Sequence, residues 1–429
     1  MKRRAVAVPI VVVLTALAAL AALGAGGAAG ASGALGASGA LGASGAAGAG
    51  RAHAAAVCPS GLNGTRDPSN PLALATPPGS NPLAGAESRF FVQTPARGEA
   101  AGAIAQLLGV TPPDTESWQT FAAGLISGPE AQQLQSSPSL ATKVGLLSLI
   151  AQEPETSRFS TYTAGGGPGA IYTQLNKFLC RMYTADPHAI PLLSTYFIDH
   201  TGNCPTETAS QQATFKRRVS EFALGVGNDP AVIFAEEDAV DTSGCLSKQG
   251  LAIRKQQLAY EVDTLAKIPH AVVYLDGGTE DANSAAFAAK ILNSAHISKI
   301  RGFFLNATHR NWTSKEIAFG EKISRLTHGA HFIVNTANNG RGPALNPHPS
   351  RQGVENLCNP PSSGLGPKPT TSTGFPLVDA FQWTAVPGKS SGLCHPGDPA
   401  GGVFGVNLAL NLAKNANGQL GPGYPSAPY

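Results

Sequence analysis

From Ile190 onward the chain alternates short apolar runs with longer amphipathic ones, and this rhythm constrains the fold more than any other feature. The apolar runs are Ile190–Ile198, Ala231–Ala235, Ala271–Leu275, Ile300–Leu305, His331–Asn335 and Val378–Trp383. Each has the length of a buried strand and is bounded by turn residues. Helical patterns lie between them at Thr208–Gly227, Leu246–Ile268, Asp281–Ala295 and Thr313–Thr327, and a last one at Val403–Leu412. Upstream, Phe90–Val92 reads as a first strand. Arg97–Leu108, Trp118–Leu149 (broken at Pro129 and Pro138) and Ala170–Tyr183 read as helices, and Phe159–Thr163 alternates. Strand and helix repeating about every 30 to 40 residues is the signature of βαβ units and a parallel sheet. At least seven such strands fit a barrel better than an open sheet. No helix opens on a Gly-rich dinucleotide fingerprint, which weakens the doubly wound alternative.

On a β/α barrel the C-terminal strand ends converge on one face, where the chemistry sits. Polar residues gather at those ends: Asp199-His200, Glu236 to Asp238, Asp276, Asn306 to His309 and Asn335 to Asn339. The sharpest stretch is Ala231-Val-Ile-Phe-Ala-Glu-Glu-Asp-Ala-Val240, an apolar run that surfaces in three acids. Carboxylates at the mouth of a buried strand are costly unless paired, hydrogen-bonded or opened to a cleft. A solvated strand end is the plain interpretation. A general acid at the barrel mouth is the functional one.

The N-terminus sets the compartment. Met1-Lys-Arg-Arg4 is a positive n-region, Ala5 to Leu23 an apolar h-region, and small residues follow. This predicts a signal peptide over 1–29 and an exported, extracellular protein, with a membrane anchor as the rival. Residues 30–56, a Gly-Ala-Leu-Gly-Ala-Ser repeat, cannot bury a core and are expected to be a low-complexity linker. That leaves 57–429 as the barrel domain. Of the 429 residues 42% are hydrophobic, enough for a large core. The net charge of +3 comes without a long basic run, so no nucleic-acid partner is expected. A monomer without stable membrane insertion after signal cleavage is expected.

Six cysteines, Cys58, Cys180, Cys204, Cys245, Cys358 and Cys394, suggest three disulfides in an exported chain, with connectivity left open. None are spaced as CxxC, and His200, His309 and His331 are scattered, so neither metal nor cofactor is expected. Sequons at Asn63, Asn306 and Asn311 are not expected to be glycosylated, because the Ala/Gly-rich leader looks bacterial.

Several strand ends, in order and spacing, resemble glycoside hydrolase family 6, the inverting cellobiohydrolases and endoglucanases. They are Tyr274-Leu-Asp-Gly-Gly278, Arg301-Gly-Phe-Phe-Leu-Asn306, His331-Phe-Ile-Val-Asn-Thr-Ala-Asn-Asn-Gly340, Leu357-Cys-Asn-Pro-Pro361 with Gly364-Leu-Gly-Pro367, and Asp379-Ala-Phe-Gln-Trp383 with Pro387-Gly388. The resemblance implies an α/β fold, a distorted seven-stranded TIM-like barrel. It also implies a β-glucan or related polysaccharide as substrate. It maps two disulfides onto Cys204–Cys245 and Cys358–Cys394, leaving Cys58 with Cys180.

The catalytic residues that the resemblance implies are Asp238, Asp276 and Asn203. Asp238 keeps the acid of the family's Glu-Pro-Asp motif, with Glu237 in place of the proline. Asp276 keeps a strand aspartate. Asn203, in Gly202-Asn-Cys204, stands where the family has a second aspartate. Asn306, His309, Trp383, Lys389 and Ser391 are the implied substrate-binding positions, Trp383 being as readily a core residue. In the late loop Ala385, Lys389 and Ser391 replace a sugar-binding lysine, a glutamate and the putative base aspartate. Ala282 and Leu357 stand where the family has tryptophans that stack on sugars. Asp199, Glu280 and Asp281 are candidate substitutes for the base. The resemblance therefore implies either an exported hydrolase with altered water activation or a relative that binds polysaccharide, or a partner, without cutting.

Overall fold

The computed structural model describes Cys58 and residues 79–160, 167–198, 204–344 and 358–425. The predicted signal peptide and linker lie outside these residues, as do Asn63, Asp199, His200, Asn203 and Leu357.

Among the described residues, seven strands form one sheet whose spatial order is their order in sequence. They are β1 (Ser157–Ser160), β2 (Leu192–Tyr196), β3 (Ala231–Ala235), β4 (Ala271–Asp276), β5 (Gly302–Leu305), β6 (His331–Asn335) and β7 (Val378–Gln382). Every neighbouring pair is parallel. The intervening helices are α5 (Ala170–Ala185), α6 (Ala209–Val226), α7 (Lys248–Leu265), α8 (Ala285–Ser294) and α9 (Thr313–Leu326). They follow four helices, α1 (Glu99–Leu108), α2 (Trp118–Ser127), α3 (Pro129–Ser136) and α4 (Pro138–Ala151), and precede α10 (Val406–Lys414). Pro129 and Pro138 each open a new helix, as the missing N–H of a first-turn proline allows.

This is a distorted β/α barrel, and the distortion is at its seam. No ladder joins β7 to β1 among the described residues. The Thr156 hydroxyl instead donates to the Trp383 carbonyl at 3.0 Å. Phe90–Val92, expected as a strand, makes only a parallel bridge from Phe90 to Ile190. That segment runs beside the start of β2 without extending the sheet.

Strand alternation sorts the core. Val232, Phe234, Val272, Tyr274, Phe304 and Ile333 fill one cluster with Ile190 and Leu192. Ile233, Val273, Leu275, Phe303 and Val334 face the helices with Phe215, Phe222 and Leu258. A Cβ at Gly302 would lie 1.8 Å from the His331 carbonyl oxygen, so the start of β5 approaches β6 as only glycine permits. Near the N-terminal strand ends, buried Asp379 accepts from Arg301 Nε and Nη2 at 2.7 and 2.8 Å and from the Tyr274 hydroxyl at 2.7 Å.

Three disulfides staple the domain: Cys58–Cys180, Cys204–Cys245 and Cys358–Cys394, with Cα separations of 5.6, 5.9 and 5.7 Å. The two pairings implied by the resemblance are present, as is the Cys58–Cys180 pair that they left over. Each cross-link restricts the unfolded chain and is worth about 2 to 4 kcal/mol.

Candidate active site

The turn after β3 carries the three acids, and the fold gives each a different fate. Glu236 is fully buried and points back into the protein, accepting the backbone N–H groups of Phe197 at 2.8 Å and Ile198 at 2.9 Å. It thereby ties the exit of β3 to the exit of β2. Glu237 is buried against Arg158 of β1, whose guanidinium pairs with its carboxylate and lies 5.2 Å from the Tyr196 ring centroid. Burial pushes Glu237 up to about 7 against the pull of Arg158. Asp238 alone is half-buried.

The backbone that presents Asp238 is unusual. Glu236 and Asp238 have φ of 51° and 68°, and Asn306 at the end of β5 has φ of 66°. Left-handed backbone at non-glycine residues costs on the order of 1–3 kcal/mol each and persists only where surroundings hold it. Here they do. Asp276 Oδ2 accepts the Val240 N–H at 2.7 Å, and Arg254 donates to the Ala239 carbonyl at 2.7 Å. Asp276 is fully buried and so acts on the turn from beneath. Burial raises its carboxyl well above the usual range, and neighbouring Asp241 raises it further.

The loop after β5 reaches Asp238 from the other side. The Thr308 hydroxyl donates to Asp238 Oδ1 at 2.7 Å. Burial raises the Asp238 carboxyl, while Thr308, Arg158 and His309 oppose that rise. His309 Nδ1 lies 2.8 Å from Asp281 Oδ1. Burial works against its charge, but Asp281, Asp241 and Asp238 outweigh it and hold His309 above its ordinary value. Asp281 is buried enough to be pushed up, yet His309 and Asn311 bring it down to about 2.

Asn306, expected to bind substrate, is fully buried and spends its amide on the carbonyls of Asn311 at 3.2 Å and Asn335 at 3.1 Å. Asn335 returns bonds to the carbonyls of Asn306 and Ala307 at 2.9 and 3.1 Å. These amides lock the ends of β5 and β6 and thereby aim Thr308 and His309. Asn306 and Asn311 are both buried, so neither sequon offers its amide to solvent. Trp383 is 1% exposed, with its indole N–H on the Pro367 carbonyl at 3.1 Å. It packs in the core with Leu365 and Ala337, so its faces are spent on packing and not offered to a sugar.

Lys389 is exposed and pairs with Glu99 at 3.1 Å. Ser391 is exposed, and its backbone N–H donates to Asn359 Oδ1 at 2.8 Å. The structure thus brings Asp238 and His309 to one rim, with the predicted catalytic Asp276 buried beneath the turn on the N–H groups of Val240 and Gly278, and Lys389 and Ser391 on the late loop. Thr308, Arg158, Tyr196 and Asp241 were missed at the sequence level. Thr308 was within reach, because it lies in the polar run from Asn306 to His309 that follows β5.

Fold and rim together define a seven-stranded β/α barrel that displays an acid at the C-terminal end of its third strand. The family model for glycosyl hydrolases family 6 matches residues 201–416, and the chain belongs to that family. Endoglucanase A of Cellulomonas fimi is 31% identical over 232 residues, 53% of this chain and 47% of that protein. Endoglucanase 1 of Streptomyces sp. (strain KSM-9) is 30% identical over 58% of this chain and 68% of its own. Against the first of these relatives the chain therefore spans about half the partner's length. The solved endoglucanase Cel6 from Mycobacterium tuberculosis, in complex with methyl-cellobiosyl-4-deoxy-4-thio-β-D-cellobioside, matches with a TM-score of 0.57 and 31% identity. That match covers 68% of this chain and 95% of that one.

Proposed function

We propose that this chain is an exported glycoside hydrolase that cuts β-1,4-glucan or a related polysaccharide with inversion, Asp238 acting as general acid. The observation that carries this reading is the placement of Asp238. It is the one acid of its turn that reaches the surface, its carboxyl is raised by burial, and the end of β4, helix α7 and the loop after β5 converge to hold it and its turn. The relatives named as endoglucanases support the substrate class, as does the cellobioside analogue bound to the Mycobacterium tuberculosis protein.

An inverting hydrolase protonates the leaving oxygen from one side while water attacks the anomeric carbon from the other. Asp238, its carboxyl raised by burial, supplies the first function. Lys389, Ser391 and His309 border the place where sugars would lie. Water activation is the altered part. Asp281 is ionised and its side chain is half exposed, but His309 and Asn311 satisfy it and leave it a weak base. Glu280 is exposed. Ser391, at the family's base position, brings no carboxylate, and that substitution favours a second reading, in which the cleft binds a glucan or a partner without cutting it.

Product release from soluble β-glucans and xylans, compared between the natural chain and Asp238→Asn, separates the two. Hydrolysis lost in Asp238→Asn supports the enzyme. Saturable binding without any product from the natural chain would replace it with the binding module.

A further inference from the structure

The Thr308 hydroxyl lies 2.7 Å from Asp238 Oδ1 and comes from a loop pinned by the buried amides of Asn306 and Asn335. We propose that Thr308 is a positioning residue that assigns the two oxygens of Asp238 different tasks: Oδ1 takes the hydroxyl, and Oδ2 carries the proton delivered to the substrate. This rests on the reading of Asp238 as general acid.

Before reaction Asp238 is neutral, and a hydroxyl donated to Oδ1 leaves Oδ2 to carry the acidic proton. That proton passes to the glycosidic oxygen as its bond to the anomeric carbon breaks, the bonding electrons going to the oxygen. Water forms the new bond to the carbon and releases one proton, which restores the acid over the cycle. Asp238 becomes a carboxylate in between. A hydrogen bond to a charged acceptor is about twice as strong as one to a neutral acceptor, so Thr308 holds the transition state more tightly than the ground state.

Among the described residues, the groups facing Asp238 come from several neighbouring elements. Arg158 approaches from β1 and Tyr196 from β2. Glu237 and Asp241 lie on its own segment, Asp276 ends β4, and His309 follows β5. Of these rim residues, Thr308 has a hydroxyl hydrogen-bonded to the Asp238 carboxyl itself. It is half-buried, so replacing it leaves the core intact.

Carboxyl ¹³C NMR of aspartate-labelled protein, assigned with Asp238→Asn, reads the Asp238 titration directly. Thr308→Val, which keeps the shape and removes the donor, should raise the Asp238 pKa by about one unit. It should lower kcat on a soluble β-glucan about tenfold with KM nearly unchanged, and Thr308→Ser should restore both. Thr308→Ala provides the same comparison if the valine variant misfolds. An unmoved Asp238 titration in folded Thr308→Val, or a serine variant no better than valine, overturns the assignment. A shifted titration in a protein that cleaves no glucan upholds the Thr308 contact and removes the hydrolase reading instead.

Discussion

Asp276 Oδ2 accepts the backbone N–H of Val240 at 2.7 Å, so the last residue of β4 holds the turn that displays Asp238. The turn carries left-handed Glu236 and Asp238, and it is tied at one end by Glu236 to the Phe197 and Ile198 N–H groups and at the other by this bond. Replacing Asp276 with alanine strands a buried N–H and should cost about 2 kcal/mol of stability. Asp276→Asn keeps one acceptor and should cost less. Urea unfolding measures both, and hydrolysis should fall with the alanine variant before the fold is lost. An alanine variant with unchanged midpoint and activity would show that Asp276 does not hold the turn.

Buried acids also set the pH response. Glu316 is fully buried and accepts from Asn311 Nδ2 at 2.8 Å and the Glu280 N–H at 3.1 Å, yet burial pushes it up to about 8. A carboxyl whose folded pKa lies above its unfolded value stabilises most below the unfolded value. That contribution is lost as pH rises through the folded value. The protein should therefore be less stable at pH 8 than at pH 5, Glu316 contributing on the order of 3 kcal/mol of the difference. Glu316→Gln keeps the acceptor but cannot ionise, so thermal unfolding of this variant should show a flatter decline over that interval.

Much of this architecture was legible in the sequence because its signals are local. Ala231–Ala235 and His331–Asn335 are apolar runs closed by polar residues, and both are strands with those bounds. What escaped depends on contacts made across the fold. Arg158 and Glu237 are 79 residues apart, and His309 and Asp281 are 28 apart, so no window of sequence joins them. Trp383 was ambiguous for another reason. Every residue of the preceding strand Val378–Gln382 is buried, so alternation could not say which way the tryptophan points. Phe90–Val92 had strand composition, but its neighbour offered a bridge and not a ladder.

The late loop yields a third prediction. Ser391 is exposed and anchored through its backbone to Asn359, so an aspartate there needs no repacking. By family pattern, Asn203→Asp together with Ser391→Asp supplies the missing carboxylates. The double variant should hydrolyse a soluble β-glucan ~10²-fold or more faster, within the usual range for a positioned acid–base group. Initial rates of reducing-end release decide this. An unchanged or slower double variant would mean that a different group already activates water.

If Asp238 protonates the leaving oxygen, the rate must depend on the leaving group. A β-glucan needs that proton, whereas a dinitrophenyl β-cellobioside departs without it. Asp238→Asn and the natural chain should be assayed on both. Asp238→Asn should lose ~10²–10⁴-fold on the glucan and far less on the aryl glycoside. Equal losses on the two substrates, or full activity of Asp238→Asn on the glucan, would contradict that role for Asp238.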